Sequence, residues 1–146
     1  MKLALYQPDI PQNTGTLMRL CACLGIDLDI IEPCSFSLED KRFKRSIMDY
    51  GSLLKVNRYK NWEEFLAKNP KNRLILLTTK SSKNYLDVKY NDSDILILGR
   101  ESAGVPDSVH DRVDERVLID MAPEARSINV AISGAIVLAE GIRQTR

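Results

Sequence analysis

Three segments far apart in this 146-residue chain concentrate the side chains able to do chemistry: Asn13-Thr14-Gly15 with Arg19, Gly99-Arg100-Glu101-Ser102-Ala103-Gly104, and Arg126-Ser127-Ile128-Asn129. Arg19 carries a planar guanidinium whose pKa above about 12 makes it a poor base and whose fork suits phosphate. Glu101 stands between two glycines in a turn that Pro106 ends; taken alone it reads as a solvated loop carboxylate, and its weight comes from the other two segments. Ser102 is the fourth residue of a G-x-x-S-x-G run, off the spacing of a hydrolase nucleophile elbow. The one histidine, His110, falls in polar sequence and is expected to be exposed, so a serine–histidine mechanism is set aside. Pro11-Gln12-Asn13-Thr14-Gly15 lacks the G-x-G-x-x-G spacing of a dinucleotide cradle, which argues against a redox domain. Cys21 and Cys23 do not share a helix face and no second pair completes a zinc set, so no metal site is expected and the thiols read as buried.

The elements that must position these groups alternate strand and helix. Lys2–Tyr6, Leu28–Ile31, Leu53–Val56, Leu74–Thr78, Asp94–Leu98 and Arg116–Ile119 read as strands. Leu74-Ile75-Leu76-Leu77 and Ile95-Leu96-Ile97-Leu98 are apolar on both faces, as central parallel strands are. The expected fold is therefore α/β, a parallel sheet with helices on both faces. A first helix is expected from Asn13 as N-cap, with Leu17, Leu20, Cys21 and Leu24 on one stripe, to a stop at Gly25. A second is expected over Leu38–Asp49. Asn61-Trp62-Glu63-Glu64 has the form of a capping box opening a short helix to Lys68, and a last helix is expected over Ser127–Gln144. Ser127 and Asn129 then read, by themselves, as helix-start residues. Leu77 to Lys80, Gly99 to Pro106 and Ile119 to Asn129 all follow strands, where α/β sheets build ligand sites.

Bulk properties narrow the function. A length of 146 residues with 44% hydrophobic content suits a single domain over 1–146 with a real core, and leaves no room for a separate RNA-recognition domain. A formal net charge of +1 excludes a protein that coats nucleic acid non-specifically; any RNA contact needs a local basic patch. Asp40-Lys41-Arg42-Phe43-Lys44-Arg45 supplies one, or else a solvated helix face. Three cysteines without a secretory signal point to a reducing, cytoplasmic setting, and no apolar run approaches the roughly 18 residues that span a bilayer.

The three segments resemble the three motifs of the SPOUT-class, SpoU-like RNA ribose 2'-O-methyltransferases. With Tyr6, Pro8, Ile10-Pro11, Ile31-Glu32-Pro33, Asp40-Lys41-Arg42, Asp49-Tyr50 and Leu77-Thr78-Thr79-Lys80, the likeness runs end to end and is greatest to the minimal subfamily acting on the wobble nucleotide of tRNA. That resemblance implies a deep C-terminal trefoil knot binding S-adenosyl-L-methionine. It places Leu77, Thr78, Gly99, Glu101, Ile119, Met121, Ser127 and Asn129 at the cofactor: Gly99 for close backbone approach, and Leu77, Ile119 and Met121 as an apolar wall for adenine, residues that alone would read as core. Arg19, Asn13, Glu101 and Asn129 become the catalytic set. The family gives its motif-one arginine, here Arg19, a general-base role helped by the substrate phosphate, but a guanidinium is a poor base, so Arg19 is read as binding phosphate and stabilising the developing alkoxide, with Asn13 positioning the arginine or capping its helix. The proton acceptor stays open. Lys41, Arg42, Lys44, Arg45 and Arg143 become the RNA surface, with Lys80 and Lys83 extending it. The partners implied are a second copy in a homodimer and the tRNA anticodon arm, with no membrane and no metal. Ala103, Ala131, Ile132 and Ala139 depart from the subfamily, leaving open a different tRNA or rRNA site, or a non-catalytic RNA-binding member. Ala131, Ala135 and Ala139, with Gly134, form a smooth stripe suited to tight packing within the knot or across a dimer.

Overall fold

The structure is a computed structural model that describes residues 1–39, 43 and 53–146. In chain order it contains β1 (Lys2–Tyr6), α1 (Pro11–Leu24), β2 (Leu28–Ile31), β3 (Val56–Tyr59), α2 (Trp62–Lys68), β4 (Leu74–Leu77), a 3-10 turn (Tyr85–Asp87), β5 (Ile95–Leu98), α3 (Asp107–His110), β6 (Glu115–Val117) and α4 (Val130–Thr145). The six strands form one sheet in the order β3-β2-β1-β5-β4-β6, with every described pairing parallel. Alternation along each strand divides the core in two. Leu3, Leu5, Leu96 and Leu98 face α1 and α4, while Ala4, Tyr6, Ile95 and Ile97 face Trp62 and Phe65 of α2 and Val109 of α3. Helices thus cover both faces, which is why the central strands are apolar throughout.

Several boundaries differ from the expectations, for local reasons. Helix α1 opens at Pro11, whose fixed φ suits the first helical position and whose missing N–H would have had no partner there. Asn13 is therefore not the N-cap; Ile10 is, without a side-chain bond, and the Asn13 amide is released for other work. Gly25 ends the helix in the left-handed region at φ 65°, as expected. Helix α4 begins at Val130, three residues later than expected, because Asn129 Oδ1 accepts from the Ala131 and Ile132 amides at 2.9 and 3.3 Å. The third strand is Val56–Tyr59, not Leu53–Val56. It lies at the sheet edge, where Arg58 binds Glu32 and Glu39 across exposed surface and Asn57 donates to Asp29 at 2.7 Å, so apolar content was the wrong guide. The sixth strand is Glu115–Val117, earlier than Arg116–Ile119. The Asn61 cap holds as read, accepting from Glu64 N–H at 2.8 Å. Of the helix expected over Leu38–Asp49, only Leu38, Glu39 and Phe43 are described: Leu38 and Glu39 lie in a turn and Phe43 is helical.

The alanine stripe splits. A Cβ on Gly134 would stand 2.7 Å from Leu98 Cδ1 and 3.2 Å from Leu17 Cδ2, so α4 approaches β5 and α1 within the subunit, whereas Ala139 is exposed. At the amino-terminal end of the central strands, Asp94 is fully buried and takes a bidentate bond from Arg73 at 2.9 and 2.6 Å, plus the Asn91 N–H at 2.9 Å. This ties the starts of β4 and β5 together and fixes their register. Asp94→Ala strands the guanidinium and the amide, and is expected to cost about 3 kcal/mol. A urea midpoint unchanged from wild type at equal slope would count against that role.

Candidate active site

Register decides where the site stands. Leu98 of β5 is paired with Leu5 of β1 and Leu77 of β4, and Leu77 also with Val117 of β6. Four strands therefore release their following loops at one level. The chain runs outward from β1 to β3 and then crosses back to β4 on the other flank, so β1 and β5 meet at the switch in strand order, where open α/β sheets leave a crevice. A cavity of about 390 Å³ lies at the ends of β4, β5 and β6, beside the start of α1. Leu77, Thr78, Gly99, Glu101, Ile119, Met121, Ser127 and Asn129, the residues expected at a cofactor, all line it, and so does Asn13.

Hydrogen bonds link the three motif segments through one carboxylate. Glu101 Oε1 accepts from Asn13 Nδ2 at 3.0 Å, and Asn13 Oδ1 accepts from Asn129 Nδ2 at 3.0 Å. Asn129 in turn caps α4, so the helix start and the site share one residue. Glu101 Oε2 accepts from the Asp9 N–H at 3.1 Å, and Asp9 returns the contact by accepting from the N–H groups of Glu101 at 3.0 Å and Ser102 at 3.3 Å, and from the Ser102 hydroxyl. Side-chain bonding with Glu101, then the Ser102 hydroxyl and the two backbone amides, holds the Asp9 carboxyl down at about 2 against the opposing effect of burial. Burial, then the adjacent Asp9 side chain, pushes Glu101 above the usual carboxylate range. The pair thus separates into a committed anion and a group with raised proton affinity, a pattern that marks acid–base sites.

The glycines of this loop have a geometric cause different from the one expected. The loop closes on itself, with Arg100 N–H to Gly104 O at 3.1 Å and Gly104 N–H to Arg100 O at 2.9 Å. A Cβ on Gly99 would lie 2.9 Å from the Gly104 carbonyl carbon, and Gly104 itself has φ +63°. Asp9 and Arg100 escaped sequence reasoning. Arg100 lines the cavity with its guanidinium 5.9 Å from the centre of the Tyr6 ring. The available signal for Asp9 was its place in the loop after β1, a strand end at the switch point.

Other expected groups lie apart. Arg19 is exposed on α1 and does not line the cavity; six residues past Asn13, it sits about 9 Å further along the helix axis. Lys41, Arg42, Lys44 and Arg45 lie outside the described residues. Arg143 is exposed and forked onto Glu140 at 2.8 and 2.7 Å, Lys83 pairs with Glu115 at 3.0 Å, and Lys80 is exposed. His110 is buried at 8% exposure, not exposed as expected, on the short helix α3 next to core residue Val109; burial lowers its pKa. Cys21 is buried, with its thiol pushed up to about 12, but Cys23 is exposed, against expectation, on the solvent side of α1. Among the described residues no group of three or more potential metal ligands occurs, and no helix is long and apolar enough to cross a membrane.

Comparison with known proteins places this geometry. A family profile described as the SpoU rRNA methylase family matches residues 1–139. A tRNA (cytidine(34)-2'-O)-methyltransferase of Beijerinckia indica is 50% identical over 144 residues, covering 97% of this chain and 90% of that one. A protein of the same name from Escherichia coli K12 is 40% identical over 147 residues, covering 99% and 93%. A structure solved to give insight into the 2-OH methylation of C/U34 on tRNA has a TM-score of 0.93 at 31% identity, covering 98% of this chain and 94% of that one. With a family match over nearly its whole length and relatives this similar, the chain belongs to the SpoU rRNA methylase family.

Proposed function

We propose that this chain is an S-adenosylmethionine-dependent RNA methyltransferase that methylates the ribose 2'-hydroxyl of the wobble nucleotide, cytidine or uridine 34, in the anticodon loop of tRNA, working as a homodimer in the cytoplasm. The observation that carries the reading is the cavity at the carboxyl end of the sheet, where loops from three motifs bring an apolar wall against one carboxylate and two amides. Its volume, about 390 Å³, lies within the range of small-molecule sites. The relatives named for cytidine 34 support the substrate. The reading takes residues 1–146 as a single domain, supported by one sheet carrying both halves of the core. It also implies the trefoil knot. Residues 83–85 run parallel to the strand end at Leu118, through Leu118 N–H to Lys83 O and Tyr85 N–H to Leu118 O, both at 2.9 Å, with Ser81 Oγ donating to Arg116 O at 2.7 Å; this close pairing of the segments after β4 and β6 supports such an arrangement.

Residues Leu77, Ile119 and Met121 would hold the adenine of the cofactor, with Thr78, Gly99, Ser127 and Asn129 along its polar edges. S-adenosylmethionine bound there would supply an electrophilic methyl group on a sulfonium, with a neutral thioether as leaving group, so the ribose hydroxyl that accepts the methyl must lose one proton. Glu101 is the group placed to take that proton, since it faces the cavity and its raised proton affinity moves it toward the range useful to a general base. Asn13 and Asn129 fix its orientation. Arg19 binds the substrate phosphate and stabilises the oxygen as charge develops, and because it lies off the cavity of its own subunit it acts in the site of the second copy. Transfer of labelled methyl to tRNA followed by nucleoside analysis tests the whole reading; label on a base, or none at all, defeats it.

Three outcomes are expected. Gly99→Ala should weaken binding of the demethylated product at least tenfold by forcing the 99–104 loop open; calorimetry showing full affinity would dismiss the steric argument. Arg19→Lys should lower turnover roughly a hundredfold, about 2.7 kcal/mol of transition-state stabilisation, with product affinity unchanged. Near-normal turnover would show that a point charge suffices. Finally, inactive Arg19→Lys and inactive Glu101→Gln proteins, mixed and allowed to exchange subunits, should recover about a quarter of wild-type activity, because each mixed dimer assembles one intact site. No recovery, with exchange verified, rules out a shared site.

A further inference from the structure

The contact between the loops after β1 and β5 is reciprocal. The Asp9 carboxylate accepts from the Glu101 N–H, the Ser102 N–H and the Ser102 hydroxyl, while the Glu101 carboxylate accepts from the Asp9 N–H. Each residue's backbone thus serves the other's side chain, over 92 positions of sequence. An acid in this loop is not needed to start α1, which opens at Pro11 under an Ile10 cap without a side-chain bond. Nor is Asp9 part of an ion pair among the described residues. Two carboxyls brought together in a half-buried crevice repel when both are ionised, an arrangement that costs energy and that simple loop closure would avoid with an amide.

We propose that Asp9 is a positioning residue for methyl transfer: it fixes the Glu101 carboxylate in the cavity and acts on its proton affinity as an adjacent negative charge. This rests on the reading of Glu101 as proton acceptor. Among the described residues, the groups around Glu101 are Asp9 from the loop after β1, Asn13 from α1, which Asn129 before α4 orients, and Ser102 and Arg100 on its own loop. Of these only Asp9 adds a negative charge. With donors from Glu101, Ser102 N–H and the Ser102 hydroxyl all on Asp9, the anion settles there and the pair's remaining proton stays on Glu101 until higher pH. The free carboxylate that then appears on Glu101 is a stronger base than an isolated one, and its place is set by the Asp9 and Asn13 donors. During transfer the ribose proton passes to Glu101 and from it to water.

The test is direct titration of the Glu101 carboxyl by carbon-detected NMR in the wild-type protein, Asp9→Asn, Asp9→Glu and Ser102→Ala, alongside the pH profile of kcat/KM on tRNA. In Asp9→Asn the Glu101 titration and the acidic limb of the profile should both move to lower pH. Turnover should fall about tenfold or more, while KM for tRNA and affinity for S-adenosylhomocysteine change by less than about twofold. Asp9→Glu keeps the charge and should restore the limb. Ser102→Ala, at an exposed position that does not threaten folding, removes a donor from Asp9 and should move the Asp9 titration to higher pH while leaving the Glu101 titration and the limb in place, because Asp9 is the ionised partner both before and after Glu101 loses its proton. A Glu101 titration unchanged in Asp9→Asn overturns the proposal, as does lost turnover in Asp9→Asn that Asp9→Glu leaves unrepaired. Wild-type turnover in Glu101→Gln instead removes the proton-acceptor reading, and with it any catalytic role for Asp9, while the coupled titration would still be seen.

Discussion

Parallel pairing of β1 with β5 is the constraint on which the rest depends. It joins a strand from the start of the chain to one from its second half, Leu5 against Leu98, and so decides which loops become neighbours. The order reverses at this pair, where open α/β sheets place their ligand crevice. A shift of one residue would turn Leu96 and Leu98 from the α1–α4 core to the opposite face. It would also lift Glu101 away from Asn13 and Asp9. The apolar alternation that stabilises the sheet and the polar contacts that make the site are therefore a single register, while Arg73 and Asp94 hold β4 to β5 at the far end of the strands.

Above that pair, the local geometry is made by small residues and amide side chains. The loop from Gly99 to Gly104 turns tightly enough that its own backbone occupies the place of a side chain at Gly99. Tightness is what brings the Glu101 N–H and carboxylate to the same neighbour. Asparagine serves at both other corners because it donates and accepts at once. Asn13 gives its N–H to Glu101 and its oxygen to Asn129, and Asn129 passes its own oxygen to the start of α4. An aspartate at position 13 would break the chain of donors, and a serine would not span it.

The strands of the sheet interior were legible because their residues obey one rule, burial on both faces, and Leu74–Leu77 and Ile95–Leu98 appear within a residue of where apolar content puts them. The edge strand was not. Val56–Tyr59 is polar in its middle, since Asn57 and Arg58 find partners along the rim, and apolar Leu53 is 66% exposed. Site residues followed the same division. The eight cavity residues were named through resemblance, and periodicity alone would have left Leu77 and Ile119 in the core. Asp9 was invisible because its role consists of contacts with residues more than ninety positions away, which no local pattern carries. His110 misled for the converse reason: polar flanking residues suggest exposure, yet a short helix can turn one polar side chain inward.

Separation of the charged groups has its own logic. A guanidinium placed beside Glu101 within the same subunit would form an ion pair, favour the carboxylate and weaken it as a base, the reverse of what burial and Asp9 accomplish. In the proposed dimer the cation arrives with the substrate's phosphate between it and the carboxylate, so that its field falls on the oxygen gaining charge and not on the group taking the proton. Arg100, the cation that the crevice does contain, is held toward the Tyr6 ring and the Gly104 carbonyl, at 5.9 and 3.4 Å, and makes no ion pair with Glu101 among the described residues. In the proposed dimer, a fold this small would keep acid–base and oxyanion functions from cancelling by giving the carboxylate an anionic neighbour, turning its nearest arginine aside and leaving the second arginine to the other subunit.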